Sequence, residues 1–344
     1  MERGIFTLNA SLLAGASVVG YKEYEGPLGD RFDFYNDRKN DGDYFGQKSY
    51  EAAESEMQRM ALGAVLDKTT LTQEQLDVMF AGDLQNQCTG AAYGLLSYPV
   101  PYFGLYGACS TMAEGLLLGA MTVSGGFARH CATVASSHNC SAERQYRTPL
   151  NYGGQRTPTA QWTVTGAAAF VVSEPRADRV RIVRGAVGIT RDLGINDTNN
   201  MGAAMAPAAA DTLCRFFRAT DTQPSDYDVI VTGDLGTEGG AILCDLMRLE
   251  RYELAPVYDD CGMRIYNNEA QDTHAGGSGC GCSAVVLAAH FLPLLQSGSI
   301  RRMLILGTGA MMSPDRIKQG ENIPGIAHLL ELVAPDAVPP ENIR

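Results

Sequence analysis

A chain of 344 residues, 45% hydrophobic and 19% charged, has ample material for a buried core and the composition of an ordinary globular protein. Its formal charge of -12 and pI near 4.9 argue against a nucleic-acid partner, because phosphate contacts need clustered Lys and Arg and no basic stripe compensates. Nine cysteines without a signal-peptide pattern point to reduced thiols rather than a disulfide framework, and no apolar run of about 20 residues would span a membrane.

Residues 5–20 are apolar and β-rich, the expected opening strand. Residues 25–43 read as an irregular excursion over a surface. Residues 47–66 place Ala53, Met57, Met60, Ala61 and Val65 on one side of an amphipathic helix. Residues 76–83 predict a short buried strand ending on a turn, and residues 101–107 a second buried strand. Residues 110–123 then carry Met112, Leu116, Leu117, Ala120 and Met121 at helical spacing.

Cys109 therefore falls at a strand-to-helix joint. A helix N-terminus offers free backbone N–H groups and positive potential, which lower a thiol's pKa and attract anions. The corner is either a nucleophile or an anion seat; the plainer alternative is a buried cysteine acting as a small apolar residue.

The next strand, 131–135, ends on Ser136, Ser137, His138, Asn139 and Cys140. Ligands dock at the carboxyl ends of such strands, although a loop histidine can simply be hydrogen-bonded. A strand at 165–172 follows, and the basic cluster 176–184 reads as a solvated turn leading into a strand edge. Residues 180–189 predict a strand and 196–206 a loop, with Pro207 in the first turn of a helix.

Farther on, strands are expected at 227–236 and 254–258. Asp259 and Asp260 then precede Cys261 and Gly262, as a cation or ligand site or, more plainly, a solvated turn. Residues 276–282 form a glycine-rich turn before a helix, where glycine permits close approach of a ligand to the backbone. Cys261, Cys280 and Cys282 lack the spacing and fourth ligand of a zinc site, so no metal is expected. Strands at 303–306 and 325–333 close the chain, and the polar tail beyond 335 is expected to fray. Dinucleotide, Walker and serine-hydrolase motifs are absent.

The chain repeats itself. Asp77, Gly82, Asp83 and Leu84 recur as Asp228, Gly233, Asp234 and Leu235, and Cys109, Ser110, Ser124, Gly125 and Arg129 recur as Cys282, Ser283, Ser297, Gly298 and Arg302. Two such blocks in one order imply two pseudo-twofold α/β halves, 1–175 and 176–344, since one copy alone leaves a sheet face bare.

The doubled halves, the Cys109 corner and the turn at 276–282 resemble the thiolase and β-ketoacyl synthase superfamily. That resemblance implies an α/β thiolase-like fold with layered αβαβα architecture, and an acyl-accepting cysteine completed by a second-half His with Asn or a second His. The pattern breaks where Gly233-Asp234 stands in place of a His-bearing turn and Ser278-Gly279-Cys280 in place of a Gly-Asn turn. His274, His290 and His328 fall on neither motif, and condensation without an imidazole loses its acid-base partner.

Residues 80–87 (FAGDLQNQ), 107–111 (GACST), 136–139 (SSHN), 142–145 (AERQ), 152–155 (YGGQ), 205–212 (MAPAAADT), 232–235 (TGDL), 260–262 (DCG) and 275–280 (AGGSGC) resemble more closely the stage V sporulation protein AD family. The resemblance implies a non-condensing protein that binds pyridine-2,6-dicarboxylate (dipicolinic acid) for import into the developing spore. It implies other SpoVA membrane proteins as partners, peripheral association on the cytoplasmic side of the forespore or spore inner membrane, and, from the thiolase-like fold, a homodimer. Cys109 and Asp260 are the expected pocket residues, with His138, Asn139 and Cys280 beside them. No cofactor is expected, although calcium is a candidate companion of the ligand. Two helix N-termini with glycine-lined backbone would seat the two ligand carboxylates. Asp260 beside a dianion makes sense if it is protonated, works through water, or meets calcium. The enzyme alternative is an acyltransferase with Cys109 as nucleophile and His138 as an unconventional base.

Overall fold

The computed structural model describes residues 3–142, 157–335 and 337. Its strands in chain order are β1 (Ile5–Val19), β2 (Phe34–Tyr35), β3 (Val78–Gly82), β4 (Tyr102–Leu105), β5 (His130–Ser137), β6 (Trp162–Thr163), β7 (Gly166–Ser173), β8 (Val180–Ala186), β9 (Val229–Thr232), β10 (Tyr258–Asp260), β11 (Gly277–Ser278), β12 (Arg302–Ala310) and β13 (Gly325–Val333). The main sheet runs β10-β9-β12-β13-β8-β1-β7-β5-β3-β4, with β2 paired to β1, while β11 and β6 form a separate pair.

Divided between β8 and β1, that order repeats. The first five strands are β1, β3, β4, β5 and β7; the second five are β8, β9, β10, β12 and β13. In both sets the spatial order from the outer edge is third, second, fourth, fifth, first. The short sequence repeat marks the same turn built twice. Asp77 accepts from the backbone N–H groups of Arg129 (2.7 Å) and His130 (3.1 Å), and Asp228 does so from Arg301 (2.7 Å) and Arg302 (2.9 Å).

Helices complete the expected α/β layering. The helix Tyr50–Thr69 covers β1, β5 and β7, and the helix Met201–Thr220 lies on β12 and β13 with the helix Gly236–Leu249 packed against it. The central helix Thr111–Ser124 touches β1, β3 and β5 of one half and β12 and β13 of the other. It buries Met112, Ala113, Leu116, Leu117, Ala120 and Val123. Apolar residues around most of a helix's circumference need cover on both sides, which the strands of both halves supply here. Among the described residues no helix is long and apolar enough to cross a membrane.

Four local expectations are corrected. The strand expected to be buried at 101–107 is β4 at the sheet edge, with Tyr102 37% and Phe103 61% exposed; an aromatic run reads alike in either place until its neighbours are known. The helix expected from Pro207 begins at Met201, because the Asn200 side chain accepts from Ala203 N–H at 3.2 Å and caps it there. The strand expected at 254–258 starts only at Tyr258, after a turn containing Pro256, which has no N–H to give a ladder. Arg184, read as part of a solvated cluster, lies on β8 between β1 and β13, 5% exposed and 3.6 Å from buried Glu331. Glu331 also receives Arg302 at 2.6 Å, so the buried charges are paired.

Candidate functional site

The chain leaves β4, takes a positive φ of 50° at Ala108, and delivers Cys109 just before the helix Thr111–Ser124. The corner leans on β12 of the other half. A Cβ on Gly309 would stand 2.5 Å from the Gly107 carbonyl oxygen, and one on Gly307 would stand 2.9 Å from that of Ser110. Only glycine allows the backbones to come so close. Cys109 is 6% exposed, and its sulfur lies 3.9 Å from the Ser278 hydroxyl.

Asp234 governs the electrostatics of this corner. It is fully buried and follows β9, where the superfamily resemblance called for histidine. Oδ1 accepts from Thr308 Oγ1 at 2.7 Å; Oδ2 accepts from Gly279 N–H at 2.9 Å and Ser278 Oγ at 3.2 Å. Gln161 braces the turn from outside, its Nε2 donating to the carbonyls of Asp234 (2.6 Å) and Gly277 (2.9 Å). Burial first, and then the neighbouring Asp234 carboxylate, push the Cys109 thiol well above its ordinary pKa. This corner suppresses a thiolate, where a helix N-terminus alone would favour one.

Asp260 stands behind that turn. Its side chain accepts from Thr232 Oγ1 (2.6 Å) and from the N–H groups of Leu235 (2.9 Å), Gly236 (3.1 Å) and Met263 (3.1 Å). It thereby caps the helix Cys261–Ile265 and grips the two residues after Asp234. Burial pushes its pKa up to about 7 against the pull of those donors. The solvated-turn alternative for Asp260 is excluded by its complete burial. Of the backbone-lined seats expected for ligand carboxylates, the glycine-rich turn is thus occupied by Asp234 through Gly279 N–H, while Asp260 caps the separate helix Cys261–Ile265.

The remaining expected residues gather near the end of β5. His138 Nδ1 accepts from Cys140 N–H at 3.2 Å, so Nε2 donates to the Asp43 carbonyl at 3.1 Å. The ring is the neutral tautomer, and burial lowers its pKa further. With both nitrogens engaged it is turned away from serving Cys109 as a base. Asn139 donates through its backbone N–H to Thr165 Oγ1 (3.2 Å) and through Nδ2 to the Thr163 carbonyl (3.3 Å). The Cys280 thiol donates to the Ser136 carbonyl at 2.9 Å, and burial pushes it well up. Cys280 therefore links the glycine-rich turn to the strand that carries His138 and Asn139, whereas Asp260 stays with Asp234.

Ser278, Thr308, Gln161 and the role of Asp234 were missed as site features in the sequence. The usable signal was the mismatch itself, an aspartate standing where a histidine belongs. The motif segments 143–145 and 152–155 and the tail at 336 and 338–344 lie outside the described residues. Among the described residues no group of three or more His, Cys, Asp or Glu side chains is arranged to hold a metal.

The solved structure of an OleA variant from Xanthomonas campestris superposes with a TM-score of 0.62 at 16% identity, covering 95% of this chain and 99% of that one. The 3-oxoacyl-(acyl carrier protein) synthase III, FabH, from Xanthomonas oryzae pv. oryzae gives 0.59 at 15% identity, covering 95% and 99%. At such identities the likeness establishes the thiolase-like fold alone. The stage V sporulation protein AD of Bacillus subtilis (strain 168) is 42% identical over 327 residues, 95% of this chain and 94% of its own length. The family described as stage V sporulation protein AD (SpoVAD) matches residues 3–333, so the chain belongs to that family.

Proposed function

We propose that the chain is the dipicolinate-binding component of a SpoVA complex, needed for uptake of dipicolinate or its calcium complex into the developing spore, and that it is not a condensing enzyme. The observation that carries this reading is Asp234 in the place of an imidazole, raising the Cys109 thiol instead of activating it, within a family match that runs almost the length of the chain. A condensing cysteine must be available as thiolate, and this one is disfavoured by burial and by charge.

In this reading the ligand pocket is built from Cys109, Asp260, His138, Asn139 and Cys280. Asp260 acts from behind by holding the Asp234 turn. The halves 1–175 and 176–344 serve as the duplicated units, with the pocket at their junction. A homodimer would form along the open edge of β4, where Tyr102, Phe103 and Tyr106 are exposed beside an unpaired strand edge. SpoVA membrane proteins would hold the assembly at the inner membrane surface, on the cytoplasmic side.

Titration calorimetry of the full chain with dipicolinate, with and without calcium, tests the proposal. Saturable binding weakened in folded Cys109→Ala and Asp260→Asn is expected; no saturable heat under either condition rejects it. A second reading, acyl transfer through Cys109, draws on the retained cysteine at the joint and on an OleA variant solved with bound lauric acid and lauroyl-CoA. A covalent acyl adduct on Cys109 after incubation with acyl-CoA, seen by intact mass, would favour it.

A further inference from the structure

Among the described residues the Asp234 side chain accepts from the Thr308 hydroxyl at 2.7 Å, the Gly279 N–H at 2.9 Å and the Ser278 hydroxyl at 3.2 Å, and it also pairs with the Cys109 thiol. Three converging donors in a fully buried place form a receptor for a carboxylate, and the chain fills it with its own. The same Ser278 hydroxyl is the polar neighbour of the Cys109 sulfur at 3.9 Å. The donors, the carboxylate and the thiol are therefore one connected group. Asp260 holds Leu235 and Gly236, and Gln161 holds the Asp234 carbonyl, so the carboxylate is fixed in position from two sides.

We infer that Asp234 is an internal carboxylate that fills the donor set of Ser278, Gly279 and Thr308 beside Cys109, keeping external carboxylates off those three donors and holding Cys109 in its unreactive thiol form, so that a ligand lying against Cys109 is held by other groups. Asp234 is in this sense a positioning residue that closes the corner to acyl chemistry. The other titratable groups that bear on Cys109 are Cys280, whose charge would also disfavour a second anion, and Cys282 and Tyr106, each of which interacts with it electrostatically. None is a cation. Burial raises the pKa of Asp234 itself, and the donors around it pull the other way; removing Asp234 takes away the nearest carboxylate and leaves the three donors pointing into the emptied space.

The test follows iodoacetamide modification of Cys109 by peptide mass across a pH series, in the full-length wild type, Asp234→Asn, Asp234→Ala and Thr308→Val, with Cys109→Ser identifying the peptide. Each unit by which the thiol pKa falls raises the thiolate fraction about tenfold at pH values below it. Asp234→Asn and Asp234→Ala are expected to react at least about tenfold faster than wild type, with the pH profile moved to lower pH. Added formate should slow the Asp234→Ala protein back towards wild type and leave the wild type unchanged. Thr308→Val keeps the charge while loosening the same contacts and should stay slow. Wild-type rates in the Asp234 variants overturn the inference, as does a Thr308→Val protein as fast as Asp234→Ala, which would make looseness the cause. Failure of formate to slow Asp234→Ala overturns the anion-site assignment.

Discussion

Asp83 and Asp234 hold matching positions, each just after a central strand of its half, yet they do different things. Asp83 accepts backbone N–H groups from Gln85 (2.8 Å) and Ala91 (2.7 Å) and so closes its own local turn. Asp234 binds two hydroxyls and one N–H beside a cysteine contributed by the other half. The cysteines diverge in the same way: Cys109 stands before its helix, whereas its sequence counterpart Cys282 lies inside the helix Cys280–Val286 and is fully buried. A duplicated scaffold repeats its turns wherever backbone groups must be satisfied. It becomes asymmetric where side chains meet across the junction, and chemistry can be admitted or refused at one corner alone.

The largest effect that would sharpen this contrast is on stability. Asp260→Ala strands the buried N–H groups of Leu235 and Gly236 after Asp234 and uncaps the helix Cys261–Ile265 at Met263, and a loss of about 4 kcal/mol in urea denaturation is expected, given 1–3 kcal/mol for each unsatisfied group and incomplete additivity. Asp83→Ala strands the donors of the other turn and should lower stability by about 3 kcal/mol while leaving Cys109 reactivity as it was. Altered Cys109 chemistry in a folded Asp83 variant would break the proposed separation of roles.

Glu23 ties the halves together and gives the next effect. Its Oε1 accepts from Thr165 N–H at 3.0 Å and from the Tyr266 hydroxyl, while buried Oε2 has no partner among the described residues. Burial, followed by the charge of Asp43, pushes its pKa up to about 7. A carboxyl raised in the folded state stabilises fully below its unfolded pKa, and the contribution is lost as pH rises through the folded value. Stability should therefore decline between about pH 4 and pH 7, by roughly 2–3 kcal/mol from this group. Glu23→Gln should flatten that slope in denaturant titrations run at several pH values; an unchanged slope would assign the dependence to other acids.

The smallest effect tests the symmetry. Asp77→Ala and Asp228→Ala each free two partly exposed backbone donors and should cost about 1 kcal/mol apiece. Midpoint shifts that differ by more than the measurement error would show that the matching turns do not carry matching loads.

The sequence by itself determined the doubled architecture, because helical and strand periodicities and the recurring Asp-Gly-Asp and Cys-Ser spacings depend only on neighbours along the chain. The joint at Cys109 and the glycine-rich turn were legible on the same terms, whereas a histidine at Gly233-Asp234 was expected only from the resemblance to the thiolase and β-ketoacyl synthase superfamily. Tertiary structure alone decided that β4 is an exposed edge, that Arg184 is buried against Glu331, that His138 is spent on Asp43, and that Asp234 rather than a ligand fills the donors of Ser278, Gly279 and Thr308. Those outcomes depend on residues far apart in sequence meeting in a medium without water, where the identity of a partner sets both the charge a group can carry and the chemistry it can perform.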